Sequence, residues 1–144
     1  MVAQVKKLFV DTNVLLDVFQ NRQPHYGASV LIWGLAEAHR AEVFISAISF
    51  NNVYYVLRRH VGREMAQQAL EALDAVFQVV APGQGILRQA IQAHSSDYED
   101  AIQFFSALSI GAECIITRNV RDYPTEVLPI WSPEAFLAQE GTVP

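Results

Sequence analysis

Short apolar runs alternate along the chain with longer stretches of helical periodicity. Leu8, Phe9 and Val10 make residues 5–10 read as a buried strand. The spacing of Val14, Leu15 and Val18 then predicts a short helix over residues 13–20, ending near Asn21. From Pro24 to about Arg40 the pattern is again helical, with Tyr26, Val30, Trp33 and Leu35 on its apolar side and Pro24 suited to a first turn. Residues 43–46 read as a second strand. Phe50, Val53, Tyr54 and Leu57 recur at helical spacing over residues 47–61, Gly62 interrupts, and residues 64–76 resume as a further helix. A third strand is predicted over 76–80, closed by Pro82 and Gly83, and a helix over about 84–94. The segment 95–111 reads as a helix with Ser96 as its cap, Glu99 completing a capping box and Gly111 as its stop. A strand centred on 114–117 follows, then the apolar stretch VLPI, and Ser132 with Pro133 announces a short terminal helix.

Strands alternating with helices imply βα units. The predicted fold class is α/β, a three-layer α/β/α sandwich around a mostly parallel sheet of four or five strands. With 144 residues and 51% hydrophobic content the chain suits one domain spanning 1–144. In such a fold the loops at the carboxyl ends of the strands are the default place for a site. Asp11, Thr12 and Asn13 fall there after the first strand, and the segment from Thr117 to Asp122 after the fourth.

Charge and cysteine content narrow the field. Ten Lys and Arg against fifteen Asp and Glu give a formal charge of −5, so the chain as a whole lacks the basic footprint of affinity dominated by phosphate contacts. A local basic patch or bound cations would have to supply any nucleic-acid path. Cys114 has no internal partner and sits in an apolar run, which fits core packing and a reducing compartment. No apolar segment approaches the ~20 residues needed to span a bilayer, and the N-terminus lacks the pattern of a secretion signal. A cytoplasmic protein with no membrane association is therefore expected.

The chemistry-bearing residues are acids. Asp11, Asp97, Asp100 and Asp122 would gather at one sheet edge in this topology, and carboxylates brought together without cations repel. A divalent ion with a preference for oxygen, Mg²⁺ or Mn²⁺, relieves that conflict, with Asp11 and Asp100 as its expected ligands. Structural roles compete: Asp97 suits a helix first turn, Asp122 suits the turn before Tyr123 and Pro124, and Thr12 and Asn13 suit a helix start. Asn13, Asn52, Thr117 and Asn119 are the supporting polar candidates. Arg118 and Arg121, beside the acids, and Arg58 and Arg59, near the end of the helix carrying Asn52, are candidates for contact with a nucleic-acid backbone. The four histidines have no ligand spacing, which leaves zinc unsupported. A phosphohydrolase using Asp11 as a covalent nucleophile would want a second acid where Asn13 stands, and no glycine-rich phosphate loop follows any predicted strand.

The stretches FVDTNVLLDV, ISAISFNNVYYVL and DYEDAIQFFSALSIGAECIITRNVRDYP, with the closing strand and helix, resemble the PIN domain of VapC-type toxins. That resemblance implies a Mg²⁺- or Mn²⁺-dependent endoribonuclease, with Asp11 as first acid, Asp100 as helix acid, and Thr117, Asn119 and Asp122 in the segment that supplies a polar residue and a further acid. It also implies RNA as substrate, a homodimer, and an antitoxin protein as partner. Two positions depart from the family pattern: Asn52 stands where a glutamate is usual, and Asn119 where many members place aspartate. A catalytically weakened or inactive domain that binds RNA or protein is the alternative.

Overall fold

The computed structural model describes residues 5–141. Its elements are β1 (Lys7–Val10), α1 (Thr12–Phe19), α2 (Tyr26–Glu37), β2 (Glu42–Ser46), α3 (Ala47–Val61), α4 (Arg63–Val76), β3 (Gln78–Val80), α5 (Gln84–Gln92), α6 (Tyr98–Ser109), β4 (Cys114–Ile116), β5 (Ile130–Trp131) and α7 (Pro133–Gln139). A 3₁₀ turn over Val120–Asp122 precedes β5. All five strands are parallel, in the order β3-β2-β1-β4-β5. The expected sandwich is therefore present, with five strands.

Strand periodicity divides the core. Leu8, Val10, Val43, Ile45, Cys114 and Ile116 face one side, where they pack with residues of α1, α2, α3, α4 and α7. Phe9 and Ile115 point the other way, against Phe104 and Ala107 of α6. Buried on both faces, the central strands carry apolar side chains at successive positions, as parallel sheets require. The Cys114 thiol lies inside this core, and burial pushes it up to about 12, so it packs as a small hydrophobe. Among the described residues no helix is long and apolar enough to cross a membrane.

Several boundaries move. Helix α2 starts at Tyr26, two residues beyond Pro24, and stops before His39, which takes a left-handed φ of 56°. Helix α4 continues through Val76, so the third strand begins at Gln78, and Phe77 is buried in the larger core cluster. The cap of α6 is Asp97, whose side chain accepts from the Asp100 N–H at 3.1 Å; Ser96 does not fill that role. Ser95 supports the arrangement by accepting from the Asp97 N–H at 3.2 Å. Gly111 does end this segment, at a φ of 68° that disfavours other residues. At the far end Ser132 caps α7 as expected, accepting from the Ala135 N–H at 3.0 Å, with Pro133 in the first turn.

The strand order decides where a ligand could enter. From β1 the chain winds outward to β2 and β3, then returns to lay β4 and β5 on the opposite side of β1. The crevice beyond the carboxyl ends of β1 and β4 is thus the topological switch point. Ile45 and Ile115 are wholly buried on opposite faces of the sheet that supports it. Ile115→Ala is expected to lower the unfolding free energy by about 2–5 kcal/mol in urea titrations; a loss below about 1 kcal/mol would contradict the assigned packing.

Candidate active site

Asp11 leaves β1 at the switch point and is held to β4 by its own backbone N–H, 3.0 Å from the Ile116 carbonyl. Its carboxylate is nearly enclosed by donors. Oδ2 accepts from the Thr117 hydroxyl at 2.7 Å, the Tyr123 hydroxyl at 3.1 Å and Asn13 Nδ2 at 3.3 Å. Oδ1 accepts from Gln103 Nε2 at 3.0 Å. Thr117 in turn accepts from the Asn119 N–H at 3.0 Å, and Asn13 Oδ1 accepts from the Arg118 N–H at 3.2 Å. The loop after β4 is therefore tied to the loop after β1 through side chains that orient Asp11.

Asp100 arrives from the first turn of α6 and is also buried. Its Oδ1 lies 3.3 Å from the Tyr123 hydroxyl, the same oxygen that contacts Asp11. One phenol has one proton and cannot donate to two carboxylates at once, so the pair is short of positive charge or of a proton. Burial, then the charges of Asp11 and Asp97, push Asp100 up to about 7; the Tyr123 hydrogen bond works in the opposite direction. Tyr123 is itself raised, by burial and by the carboxylates of Asp11 and Asp100, and stays a neutral donor.

Asp11 and Asp100 open onto a cavity of about 500 Å³, together with Asn13, Asn52, Glu99, Gln103 and Asn119. Asn52 donates to Glu99 at 3.0 Å, so this amide anchors a carboxylate that sequence reasoning treated only as part of a cap. Asp97 and Asp122 lie elsewhere: Asp97 is the α6 cap, and Asp122 lines a smaller recess with Asp100 and Tyr123. Thr117 is wholly buried behind Asp11. Thr12 does not cap α1; its hydroxyl bonds that of Ser49 at 2.7 Å.

The arginines separate as well. Arg118 Nε sits 2.9 Å from the Oδ2 of Asp17, a carboxylate with no solvent exposure, so this guanidinium is drawn inward. Burial raises Asp17, while Arg118 and the Ser29 hydroxyl counter that. Arg121 is exposed in the 3₁₀ turn. Arg58 and Arg59 are exposed in the last turn of α3, where cations complement the helix dipole.

Residues 7–121 match the family model described as a PIN domain. The chain belongs to the PIN domain family. It is 24% identical over 143 residues to Ribonuclease VapC1 of Aquifex aeolicus (strain VF5), a match covering 96% of this chain and 98% of that protein. Its fold is similar to a toxin-antitoxin complex from Klebsiella pneumoniae, with a TM-score of 0.65 and 23% identity over 88% of this chain and 97% of that one. It is likewise similar to VapBC2 from Rickettsia felis bound to a DNA fragment from their promoter, with a TM-score of 0.64 and 16% identity over 88% of this chain and 98% of that one.

The donor set of this PIN domain suits a Mg²⁺ or Mn²⁺ ion that keeps much of its water. Among the described residues no three His, Cys, Asp or Glu side chains converge into a ready ligand group. Asp11 and Asp100 are two carboxylates within reach of one oxygen atom, and Mg²⁺ commonly takes one or two carboxylates and retains several waters. Gln103 Oε1 is buried and finds no donor within the protein, and an acceptor left unpaired in that way costs about 1–3 kcal/mol.

Tyr123 and Gln103 are the two residues at this site that sequence reasoning did not select. Tyr123 follows Asp122 in a segment that reads as a turn, and its apolar ring hides its hydroxyl. Gln103 could have been found by helical spacing, since it lies three positions after Asp100 on the same side of α6.

The raised Asp100 makes stability depend on pH with a definite sign. Asp100 binds its proton more tightly in the fold than in the unfolded chain, so its contribution to stability is complete below the ordinary carboxylate range and is lost as pH rises through about 7. In chelator, Asp100→Asn is expected to gain stability relative to the parent by about 2.5 kcal/mol between pH 5 and 8. Urea titrations across that range check it, and a difference that shrinks with pH contradicts it.

Proposed function

We propose that this PIN domain is a divalent-metal-dependent endoribonuclease, the toxin of a toxin-antitoxin pair. The observation that carries the reading is the pairing of buried Asp11 and Asp100 across a single hydroxyl at the switch point, facing a cavity of about 500 Å³. Likeness to a ribonuclease over almost the whole chain, and to structures of toxins with their antitoxins, supports the activity and the partner.

Asp11 and Asp100 would hold Mg²⁺ or Mn²⁺, which when bound supplies Lewis-acid stabilisation of phosphate charge and lowers the pKa of water. The chain's own residues do the remainder. Thr117, Tyr123 and Asn13 fix the Asp11 carboxylate, so it does not reorganise when charge develops nearby. Asn119 and Asn52 place neutral amides at the cavity wall, where they can bind the sugar or a base edge without opposing a phosphate. Asp97 and Asp122 act at a distance, as charges that make Asp100 costly to ionise without a cation. Arg121, Arg58 and Arg59 offer exposed charge to the RNA backbone, and Arg118 contributes chiefly by anchoring its loop on Asp17. Homodimerisation and capture by an antitoxin belong to the same proposal.

A second reading has one specific observation in its favour. Asn52 and Asn119 are uncharged, and fewer than three acids converge among the described residues, as befits a weakened or inactive domain that binds RNA or protein. Cleavage of single-stranded RNA by the purified chain separates the two. The nuclease reading expects Mn²⁺- or Mg²⁺-dependent cutting that stops on chelation and falls at least 1,000-fold in Asp11→Asn, an estimate of about 4 kcal/mol or more in transition-state stabilisation. Cutting that survives chelation, or survives Asp11→Asn unchanged, would falsify it.

A further inference from the structure

The cavity that holds Asp11 and Asp100 has two unlike walls. One carries carboxylates and amides; the other is built by Leu16 of α1 and by Tyr55 and Val56 of α3. An isolated exposed aromatic ring is ordinary on a protein surface. Among the described residues, however, Tyr55 alone combines a large exposed apolar side chain, at 65% exposure, with a place on this cavity. Val53 and Leu57, on the other side of the same helix, are buried in the core, so α3 presents the ring from a fixed support. Asn51 and Asn52 lie four and three positions before Tyr55, on one face of the helix with it, and line the same space. Asn52 is engaged through Nδ2 with Glu99 at 3.0 Å, while Asn51 is exposed. A phosphate group does not suit this wall, since Leu16 and Val56 offer it no donor and the acids repel it except through a cation. The heterocycle of a nucleotide suits it twice: its face stacks on an aromatic ring, and its edge pairs with an amide that both donates and accepts. At about 500 Å³ the cavity falls within the ~300–1,000 Å³ of ordinary ligand sites.

Resting on the nuclease reading, we infer that Tyr55 is the base-stacking residue of this site. An unpaired base of the RNA lies on its ring with its edge toward Asn51, and the phosphate next to that base reaches the proposed ion site at Asp11 and Asp100. Stacking is tolerant of base identity, so Tyr55 selects single-stranded RNA over a duplex, whose bases are already stacked on one another. Preference among bases falls to the Asn51 amide.

Tyr55→Phe keeps the ring, Tyr55→Leu keeps apolar bulk without a π face, and Tyr55→Ala removes both. Each is compared with the parent protein on a single-stranded RNA that the parent cuts at one bond with Mn²⁺. The same RNA is also made with an abasic ribose placed in turn at each position flanking that bond. The expected result is a KM about tenfold higher in Tyr55→Ala and Tyr55→Leu, with kcat within about threefold, and parent-like kinetics in Tyr55→Phe. One abasic position should raise the KM of the parent by about the same factor and leave that of Tyr55→Ala unaffected, because both changes remove one contact. Mn²⁺ affinity from calorimetry should be equal in all of these proteins. A parent-like KM in either Tyr55→Ala or Tyr55→Leu, or losses from the two removals that simply multiply, overturns the inference and leaves the nuclease reading in place. So does a Tyr55→Ala protein whose only change is a smaller oligomer in sedimentation, which assigns the ring to a second copy of the chain. A parent protein that cuts no RNA with Mn²⁺ or Mg²⁺ overturns both.

Discussion

Two largely buried carboxylates held beside one another at the edge of a cavity, with a single phenolic proton between them, form the contact on which the rest of the site depends. Asp11 is brought there by the pairing of β1 with β4, Asp100 by the start of α6, and Tyr123 by the turn after β4. No element alone creates the conflict; the parallel sheet and its switch point do. Such an arrangement weakens the metal-free fold at neutral pH, and in the proposed function that weakness would give a divalent cation its differential affinity.

The surroundings of the pair are built from amides and hydroxyls. Asn13, Thr117 and Gln103 each donate to Asp11, and Asn52 donates to Glu99 at the cavity wall. This division of labour bears on the departures at Asn52 and Asn119. Neutral groups at those positions lower the total negative charge in a cavity that would receive a polyanion. In exchange they leave fewer ligands for the ion, and an ion with more of its own water is the expected consequence. Behind this wall the pairing of Arg118 with buried Asp17 ties the β4 loop to α1, which keeps Thr117 and Asn119 in register with Asp11.

Much of the fold was legible because burial leaves a periodic record. The apolar runs at Leu8–Val10 and Cys114–Ile116 marked central strands, helical spacing marked α1, α2 and α3, and cap residues announced α7. Boundaries were less legible where two local rules agreed on neighbouring residues. Ser95, Ser96 and Asp97 are three cap-forming residues in a row, and the fold uses Asp97, with Ser95 accepting from its N–H. Val76 and Phe77 suit a strand as well as a helix end, and the length of α4 decides between them. At the site, Asp11 and Asp100 were visible as acids at a strand end and a helix start. Tyr123 was not, because its contact with Asp100 spans more than twenty residues of sequence, and although helical spacing puts Gln103 on the Asp100 side of α6, its bond to Asp11 was hidden in the same way. The inward turn of Arg118 was hidden for the same reason, since Asp17 reads from its own segment as one more polar residue of a short helix.

The central claim is that one divalent ion resolves the conflict between Asp11 and Asp100. The most direct test is a crystal grown with Mn²⁺ and measured at the manganese absorption edge. The account predicts an anomalous peak beside the carboxylates of Asp11 and Asp100, the residues that would hold the ion. A well-ordered site with no peak there, in crystals whose soaking solution holds Mn²⁺ at millimolar concentration, would contradict it.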